Sequence, residues 1–321
     1  MAKVYAMFIM NRDGIALFTR NFAEEKIPSD LVTSLIMAIS SFIKEISPRA
    51  IPVLRRIEAE DFTIMIEAGE AVLGALFVDK EDLLAREYLR AVVNEFERMF
   101  GDRLASWDGD TSLFETFGEI CDKIMSIIAV NSYHIPRLGE GGMLSDRVAI
   151  PRPLWAVLKL VDGRRTVAEI AKEAGIGVEE AIQRFRKLVE EGLVDVDISE
   201  PLRKVVGAYL EALNKFLNSL SSLLGTRLTS EGLSLALKKW GAGWLSMEVG
   251  PRVEAKDLNR LAWLHTPREA SEMLSSFLEV LQEVFRPILG ALAHDLRMEV
   301  EAYLRGKHGM KLRRLEAWEV A

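Results

Sequence analysis

Few residues in this 321-residue chain have the types and spacing that metal binding or catalysis requires. There are only four histidines. His265 and His294, considered as metal ligands with Asp295, are expected to have no second ligand at a helical spacing such as i and i+4, so surface or core roles are expected for them. The single cysteine, Cys121, excludes an intramolecular disulfide framework and a cysteine-rich zinc site. It falls on an apolar helical face, where a core position is expected.

Two further motifs resemble ligand loops but are incomplete. Asp108-Gly109-Asp110 begins like a calcium loop, and the remaining ligand positions do not follow, so a turn is expected. The glycine-rich residues 139–142 lack the lysine and the following Ser or Thr of a phosphate-binding loop. No spacing supports a Ser/His/Asp constellation. We therefore predict no catalytic, cofactor-binding or metal-binding residues, and no cofactor.

Basic side chains offer a different chemistry, the binding of anions, in two regions. One group lies in the centre of the chain and is a candidate for contact with nucleic acid: Arg164, Arg165, Gln183, Arg184 and Lys187. A C-terminal group with interleaved apolar residues suits an anionic membrane surface or RNA: Arg305, Lys307, Lys311, Arg313 and Arg314. The alternative in both regions is an ordinary solvated face, with Glu–Arg pairs in the first and a basic helix end in the second.

The elements that must position these residues divide the chain into three parts. Glycine and proline punctuate residues 136–153, and a second break lies near Pro201. The predicted boundaries are a first domain at 1–131, a linker at 132–150, a second domain at 151–198 and a third at 199–321. The net charge of −7 and the pI of about 5.4 argue against a protein whose whole surface binds nucleic acid.

The first domain has the pattern of a small α/β unit. An apolar segment at 4–10, the turn Asn11–Gly14 and a second segment at 15–19 predict a β-hairpin. A helix with apolar residues at spacings of three and four is predicted over 30–46. Three strands follow, at 53–57, 62–66 and 71–78, and then two helices, at 82–100 and 112–130. The predicted order is β-β-α-β-β-β-α-α.

This order of elements and two segments of the sequence, MFIMNRDGIALFTRNF and DLVTSLIMAISSFIKEI, resemble the longin/roadblock-like group of profilin-type domains. The resemblance implies a five-stranded sheet with three helices, without catalysis of its own, that dimerises or binds small Ras-like GTPases. Small residues on the first helix would allow close approach of a partner and are the predicted interface: Ser34, Ala38 and Ser41.

The second domain resembles the winged helix-turn-helix modules of prokaryotic regulators, on the segment LVDGRRTVAEIAKEAGIGVEEAIQRFRKLVEEGLV. Helices are predicted at 153–161, 167–174 and 178–191, with Thr166 as an N-cap and a glycine turn at 175–177. The recognition helix would present Glu179 and Glu180 at its N-terminal end, where they would repel phosphates. Binding of DNA is therefore possible but not favoured over protein docking.

The third domain is predicted to be all-helical and resembles no family. Apolar stripes at 202–224 and 273–303 require partners and are expected to pack against each other or a second chain. A helix capped by Thr229 and Ser230, an irregular stretch at 241–250 and a kink or break at Pro287 are also expected. No run of about 18 apolar residues and no signal peptide is present, so a cytoplasmic location is expected.

The pattern as a whole predicts an α+β multidomain protein that acts as a non-enzymatic scaffold or regulator. It would bind a protein partner, either a small Ras-like GTPase or a second copy of itself. The first alternative is a transcriptional regulator that binds DNA through the winged helix, with the first domain as sensor or dimeriser. The second alternative is an enzyme.

Overall fold

The computed structural model describes residues 2–24, 26–46, 55–104, 106–139, 150–290 and 292–318. The predicted mixed α+β class is confirmed. The chain forms two compact units. Unit 1 comprises residues 1–130, 138–155 and 183–195, and unit 2 comprises residues 131–137, 156–182 and 196–321. Residues 140–149 of the predicted linker lie outside the described residues, as do residues 53 and 54 of a predicted strand.

A five-stranded antiparallel sheet forms the centre of unit 1. Its strands are β1 Val4–Asn11, β2 Ala16–Asn21, β3 Arg56–Glu58, β4 Thr63–Ala68 and β5 Val72–Val78, in the spatial order β2-β1-β5-β4-β3. The hairpin turn between β1 and β2 is closed by Asn11, whose side-chain oxygen accepts the N–H groups of Asp13 and Ile15. Gly14 there adopts a φ of +84°, which suits a residue without a β-carbon.

Helices cover both faces of this sheet. They are α1 Ser29–Ile46, α2 Leu83–Leu104, a 3₁₀ helix Thr111–Phe114 and α3 Phe117–Ile128. The helix predicted over 112–130 is therefore divided into the 3₁₀ turn and α3. Asp110 caps the 3₁₀ turn by accepting the N–H of Ser112. Alternate residues of β1 point to opposite faces, and all of residues 6–10 are buried. This sheet with its helices is compatible with a longin-like fold.

One glycine sets the distance between helix and sheet in unit 1. Gly74 on β5 lies under α2, where a β-carbon would come within 2.3 Å of Val93 Cγ2. The absence of a side chain lets α2 pack closely on the strand. The nearby turn between β4 and β5 is held by the carboxylate of Glu97, which accepts the N–H groups of Ala71 and Val72.

The three helices predicted for the central domain are present, as α4 Arg152–Leu158, α5 Val167–Ala174 and α6 Val178–Glu190. A two-stranded sheet pairs β7 Val194–Val196 with β6 Pro136–Leu138, a strand that lies in the predicted linker and was not expected. Thr166 caps α5 as predicted, in a capping box with Glu169, and Gly175 ends that helix in the left-handed conformation. The assembly of these elements into a winged helix stays a prediction.

Long helices dominate unit 2. They are α7 Ser199–Leu224, α8 Thr226–Trp240, α9 Leu258–Leu264, α10 Pro267–Leu289, α11 Leu292–Tyr303, a π-helical turn Leu304–His308 and α12 Gly309–Arg314. The two predicted apolar stripes share one core, in which Leu213 is 2% exposed and Leu281 is fully buried. The expectation that these stripes pack against each other is confirmed.

Two local predictions in this region were wrong, and the division expected at Pro287 lies three residues beyond it, at Gly290. Helix α8 begins at Thr226, and Thr229 is buried in its first turns, where its hydroxyl donates to the carbonyl of Gly225. The stretch 241–250 is not wholly irregular, because β8 Leu245–Met247 pairs with β9 Val253–Ala255. Helix α10 continues through Pro287 and ends at Gly290, whose φ of +57° an L-residue rarely adopts.

None of the helices in the described part of the chain combines the length and the apolar character that crossing a bilayer requires.

Candidate functional site

The outward face of α1 carries the three small residues that the sequence singled out. Ser34, Ala38 and Ser41 are all exposed, so the structure places them together on one side of the helix. The same face carries two large apolar side chains, Leu31 at 69% exposure and Leu35 at 43%. A helix that faces only water normally presents polar or charged side chains on its outer side, so this composition is typical of an interaction surface.

The inward face of α1 explains why this orientation is fixed. Val32 and Ile36 are buried in one cluster with Phe8, Ile64 and Phe77 of the sheet. A helix has 3.6 residues per turn, so burial of positions 32 and 36 directs positions 31, 34, 35, 38 and 41 outward. The side chains at 40, 42–44 and 46 lie outside the described residues.

The charges around this face are few. Asp30 is exposed in the first turn of α1, where a carboxylate suits the positive end of the helix dipole, and Glu45 is exposed near the other end. Between them, every outward-facing side chain that the structure describes is uncharged. The outer face of α1, defined by Leu31, Ser34, Leu35, Ala38 and Ser41, is therefore an uncharged, partly apolar strip, and it is hereafter the α1 face.

Two of the residues predicted to contact nucleic acid lie in unit 2. Arg165 binds the carboxylates of Asp162, at 3.1 Å, and Glu173. Arg164 is exposed, and no ion pair of its side chain is found among the described residues. The loop that carries both is closed by Asp162, which accepts the N–H groups of Arg164 and Arg165. The Arg165 side chain is thus engaged within the unit, whereas that of Arg164 is available.

The other three predicted nucleic-acid contacts lie on α6 in unit 1. Arg184 donates through Nη1 to the carbonyl of Pro153 at 3.0 Å, whereas Gln183 and Lys187 are exposed. Glu179 and Glu180 occupy the first turn of the helix, as predicted. Of these three residues, Gln183 and Lys187 are therefore accessible to a ligand. The N-terminal end of α6, which would enter a DNA groove first, carries the two glutamates.

The C-terminal basic residues belong to a folded helical segment. Leu304, Leu312 and Leu315 are buried in the core of unit 2, so the segment that carries the basic residues is packed against the unit. The ammonium group of Lys307 and the hydroxyl of Tyr303 both donate to the carboxylate of Glu211. Arg305 and Arg313 are exposed.

Glu211 forms the centre of a small charged network with these residues. Nε2 of His308 lies 3.0 Å from its second carboxylate oxygen. The hydrogen bonds from Lys307 and Tyr303 lower the pKa of Glu211 to about 2. Lys215 lies over the ring of Tyr303, with 4.4 Å between Nζ and the ring centre. This network fastens the π-helical turn to α7.

Three basic residues from the two predicted groups come together in unit 2. Arg164, Lys311 and Arg314 line one pocket, and Lys204 on α7 completes a set of four cations. Sequence reasoning missed Lys204, because its salt bridge to Glu200 four residues earlier has the pattern of an ordinary solvated helix pair. The four positions span more than 140 residues of sequence, so no local pattern predicts their association.

The cysteine and the histidines that were considered as metal or catalytic residues lie in different environments. Cys121 is buried with its Sγ 2.8 Å from the hydroxyl of Tyr88, and burial raises the pKa of its thiol to about 12. His294 is exposed. The expectation that His265 has no possible ligand at helical spacing was wrong, because its Nδ1 lies 4.0 Å from the carboxylate of Glu269, four residues later. Among the described residues, no three His, Cys, Asp or Glu side chains are grouped so as to hold a metal ion.

Comparisons with known proteins identify no relative of this chain. The chain matches no protein-family model, and no curated protein is significantly similar to it.

Proposed function

We propose that this protein is a non-enzymatic scaffold or regulator, and that unit 1 is its protein-binding platform. One observation carries the proposal, the α1 face. Leu31 and Leu35 expose 69% and 43% of their surface there, and small residues beside them leave room for a partner's side chains. Fully burying a leucine side chain is favourable by about 1.5–3 kcal/mol, and covering the exposed parts of Leu31 and Leu35 would contribute a share of that.

A small Ras-like GTPase is the proposed partner. The resemblance of the first 131 residues to longin/roadblock-like domains supports this choice. The five-stranded sheet flanked by helices is compatible with a longin-like fold. The uncharged α1 face would bind mainly through apolar contact and close packing. In that case, binding would depend weakly on salt.

The central elements are proposed to form a winged helix that docks protein instead of DNA. Arg184 is held by the carbonyl of Pro153, which lowers the number of cations on α6 that are free to meet phosphate. Glu179 and Glu180 at the start of that helix would oppose entry into the DNA groove. A transcriptional regulator remains the alternative, and a salt-dependent shift of duplex DNA by the full chain would favour it.

Binding of purified GTPase to the full-length chain tests the proposal. The Ras-like GTPases of the source organism, loaded with GDP or with a non-hydrolysable GTP analogue, would be titrated against the immobilised chain. Ala38→Arg places a long charged side chain in the α1 face and is expected to weaken binding at least about tenfold, the factor that corresponds to 1.4 kcal/mol. Asn94→Arg makes the same change of charge at an exposed site on α2 and is expected to leave binding unchanged.

Sedimentation velocity on the same samples examines the second possible occupant, another copy of the chain. A dimer that Ala38→Arg converts to a monomer, with Asn94→Arg still dimeric, would assign the α1 face to self-association. A monomer in all three forms, with no GTPase bound in either nucleotide state, would overturn the platform proposal.

A further inference from the structure

The pocket in unit 2 formed by Arg164, Lys204, Lys311 and Arg314 has the composition of an anion site. Its volume is about 360 Å³, and its remaining lining residues are Ile135, Gly163, Thr166 and Leu315. The lining thus holds four cations and no carboxylate, in a chain whose net charge is −7. This pocket is hereafter the basic pocket.

Two of the four charges are not compensated. Lys204 forms a salt bridge of 2.8 Å with Glu200, and Nε of Arg314 lies 2.6 Å from a carboxylate oxygen of Glu169. Arg164 and Lys311 are exposed, and no ion pair of either side chain is found in the described part of the chain. The basic pocket therefore has a surplus of about two positive charges, which an anion would neutralise.

Backbone and side-chain bonds hold the pocket in shape before any ligand arrives. The guanidinium of Arg314 donates to the carbonyl of Arg164 at 2.7 Å as well as to Glu169. Glu169 is in turn part of the capping box that begins α5. Ile135, Thr166 and Leu315 are between 1% and 3% exposed, so these parts of the lining are packed into the unit. Arg314 is therefore held in place, whereas Arg164 and Lys311 supply the exposed charges that a ligand would meet.

The chemistry of the pocket selects a compact anion with more than one charge. Arginine matches phosphate with two parallel N–H donors, and lysine adds a point charge from another direction. A concave space of this size admits a few linked phosphate groups and excludes a DNA duplex.

We propose that the basic pocket binds a di- or triphosphate-like group of a small molecule. The group belongs either to a soluble metabolite or to the headgroup of a phosphorylated lipid, since both present the same chemistry. This site is independent of the α1 face, which lies in the other unit.

Calorimetric titration of the full chain with sodium tripolyphosphate tests the proposal. The double variant Arg164→Ala/Lys311→Ala removes the two uncompensated cations, and each lost charge-assisted hydrogen bond is expected to weaken binding about tenfold or more. The matched control is Arg305→Ala/Arg313→Ala, which removes two exposed cations of the same C-terminal segment that do not line this pocket. The control is expected to bind as the wild type does.

A second measurement keeps the test independent of folding defects. Tripolyphosphate is expected to raise the unfolding midpoint of the wild type and the control, because a ligand that binds only the folded state stabilises it. It should raise that of the Arg164→Ala/Lys311→Ala variant much less, although this variant unfolds at the wild-type temperature without ligand. Equal losses in both double variants, or no binding by the wild type at millimolar tripolyphosphate, would overturn the proposal.

Vesicles distinguish the two sources of the phosphate group. Flotation with phosphatidylcholine vesicles that contain phosphatidylinositol bisphosphate, competed by tripolyphosphate, would assign the site to a lipid headgroup. Tripolyphosphate binding without flotation would assign it to a soluble metabolite. Binding of a short DNA duplex that depends on Arg164 and Lys311, with no binding of tripolyphosphate, would contradict the proposal.

Discussion

Gly232 on α8 lies directly against the ring of Phe285 on α10, where a β-carbon at position 232 would come within 2.5 Å of the ring's Cζ atom. Phe285 is fully buried, so the ring is surrounded by other core side chains and a shift would disturb their packing. The close crossing of these two helices in unit 2 therefore depends on the absence of a side chain at position 232.

Replacing Gly232 with alanine is expected to strain this crossing. Alanine alone favours a helix by about 0.8–1.0 kcal/mol over glycine. Overpacking a core costs about 1–3 kcal/mol. The matched control is Gly207→Ala on α7, where nothing lies within 4 Å of the added β-carbon. We expect Gly232→Ala to be about 1–3 kcal/mol less stable than Gly207→Ala by urea unfolding, and equal stabilities would show that the crossing tolerates a methyl group.

A second prediction concerns the shared core of the two apolar stripes. Leu281 on α10 is fully buried, so Leu281→Ala should leave a cavity and lower the free energy of unfolding by about 2–5 kcal/mol. Leu235 on α8 is 56% exposed, and Leu235→Ala should change that free energy by less than about 0.5 kcal/mol. Unfolding of both variants in urea measures the difference. A change at Leu281 as small as that at Leu235 would contradict the packing described here.

The Glu211 network leads to a prediction about pH. Hydrogen bonds from Lys307 and Tyr303 lower the pKa of Glu211 to about 2 in the folded protein, from an ordinary value of 4.5. Because the folded pKa is depressed, this interaction stabilises the fold above the ordinary value, and the stabilisation is lost as the pH falls from there toward 2. Carboxyl NMR titration should place Glu211 near the lower value in the wild type.

The variant Lys307→Met removes the main cause of that shift. The pKa of Glu211 should then rise toward 4.5, and the loss of stability between pH 5 and pH 2 should become smaller than in the wild type. Lys311→Met removes a neighbouring lysine that does not contact Glu211 and serves as the control. A Glu211 titration that is the same in all three proteins would show that the network does not form in solution.

Much of unit 1 was predictable from its sequence, for local physical reasons. In β1 and β2, successive side chains point to alternate faces of the sheet, and the Asn11–Gly14 turn joins the two strands. These local signals define a hairpin without reference to the rest of the chain. The period of α1 likewise predicts which of its sides faces the sheet, and the structure shows Ser34, Ala38 and Ser41 exposed on the other side. These signals lie within one or two elements.

The features that sequence reasoning missed depend on long-range contacts or on very short elements. The strands β8 and β9 have three residues each, too few to show alternation, and β9 is held by the side chain of Asn214 on α7. The basic pocket joins positions from 135 to 315, and Lys204 had no local signal. Such groupings follow from tertiary packing, which periodicity does not report.

Protection of a single thiol on the α1 face tests the central claim most directly. The only native cysteine, Cys121, is buried with a thiol whose pKa burial raises to about 12, so a cysteine introduced at position 34 is the reactive one. Alkylation of Ser34→Cys in the full chain would be timed with increasing amounts of GTP-analogue-loaded Ras-like GTPase, beside Asn94→Cys on α2. The account predicts that alkylation at position 34 slows with the midpoint of GTPase binding and that alkylation at position 94 does not change. Bound GTPase that leaves position 34 as reactive as before would contradict it.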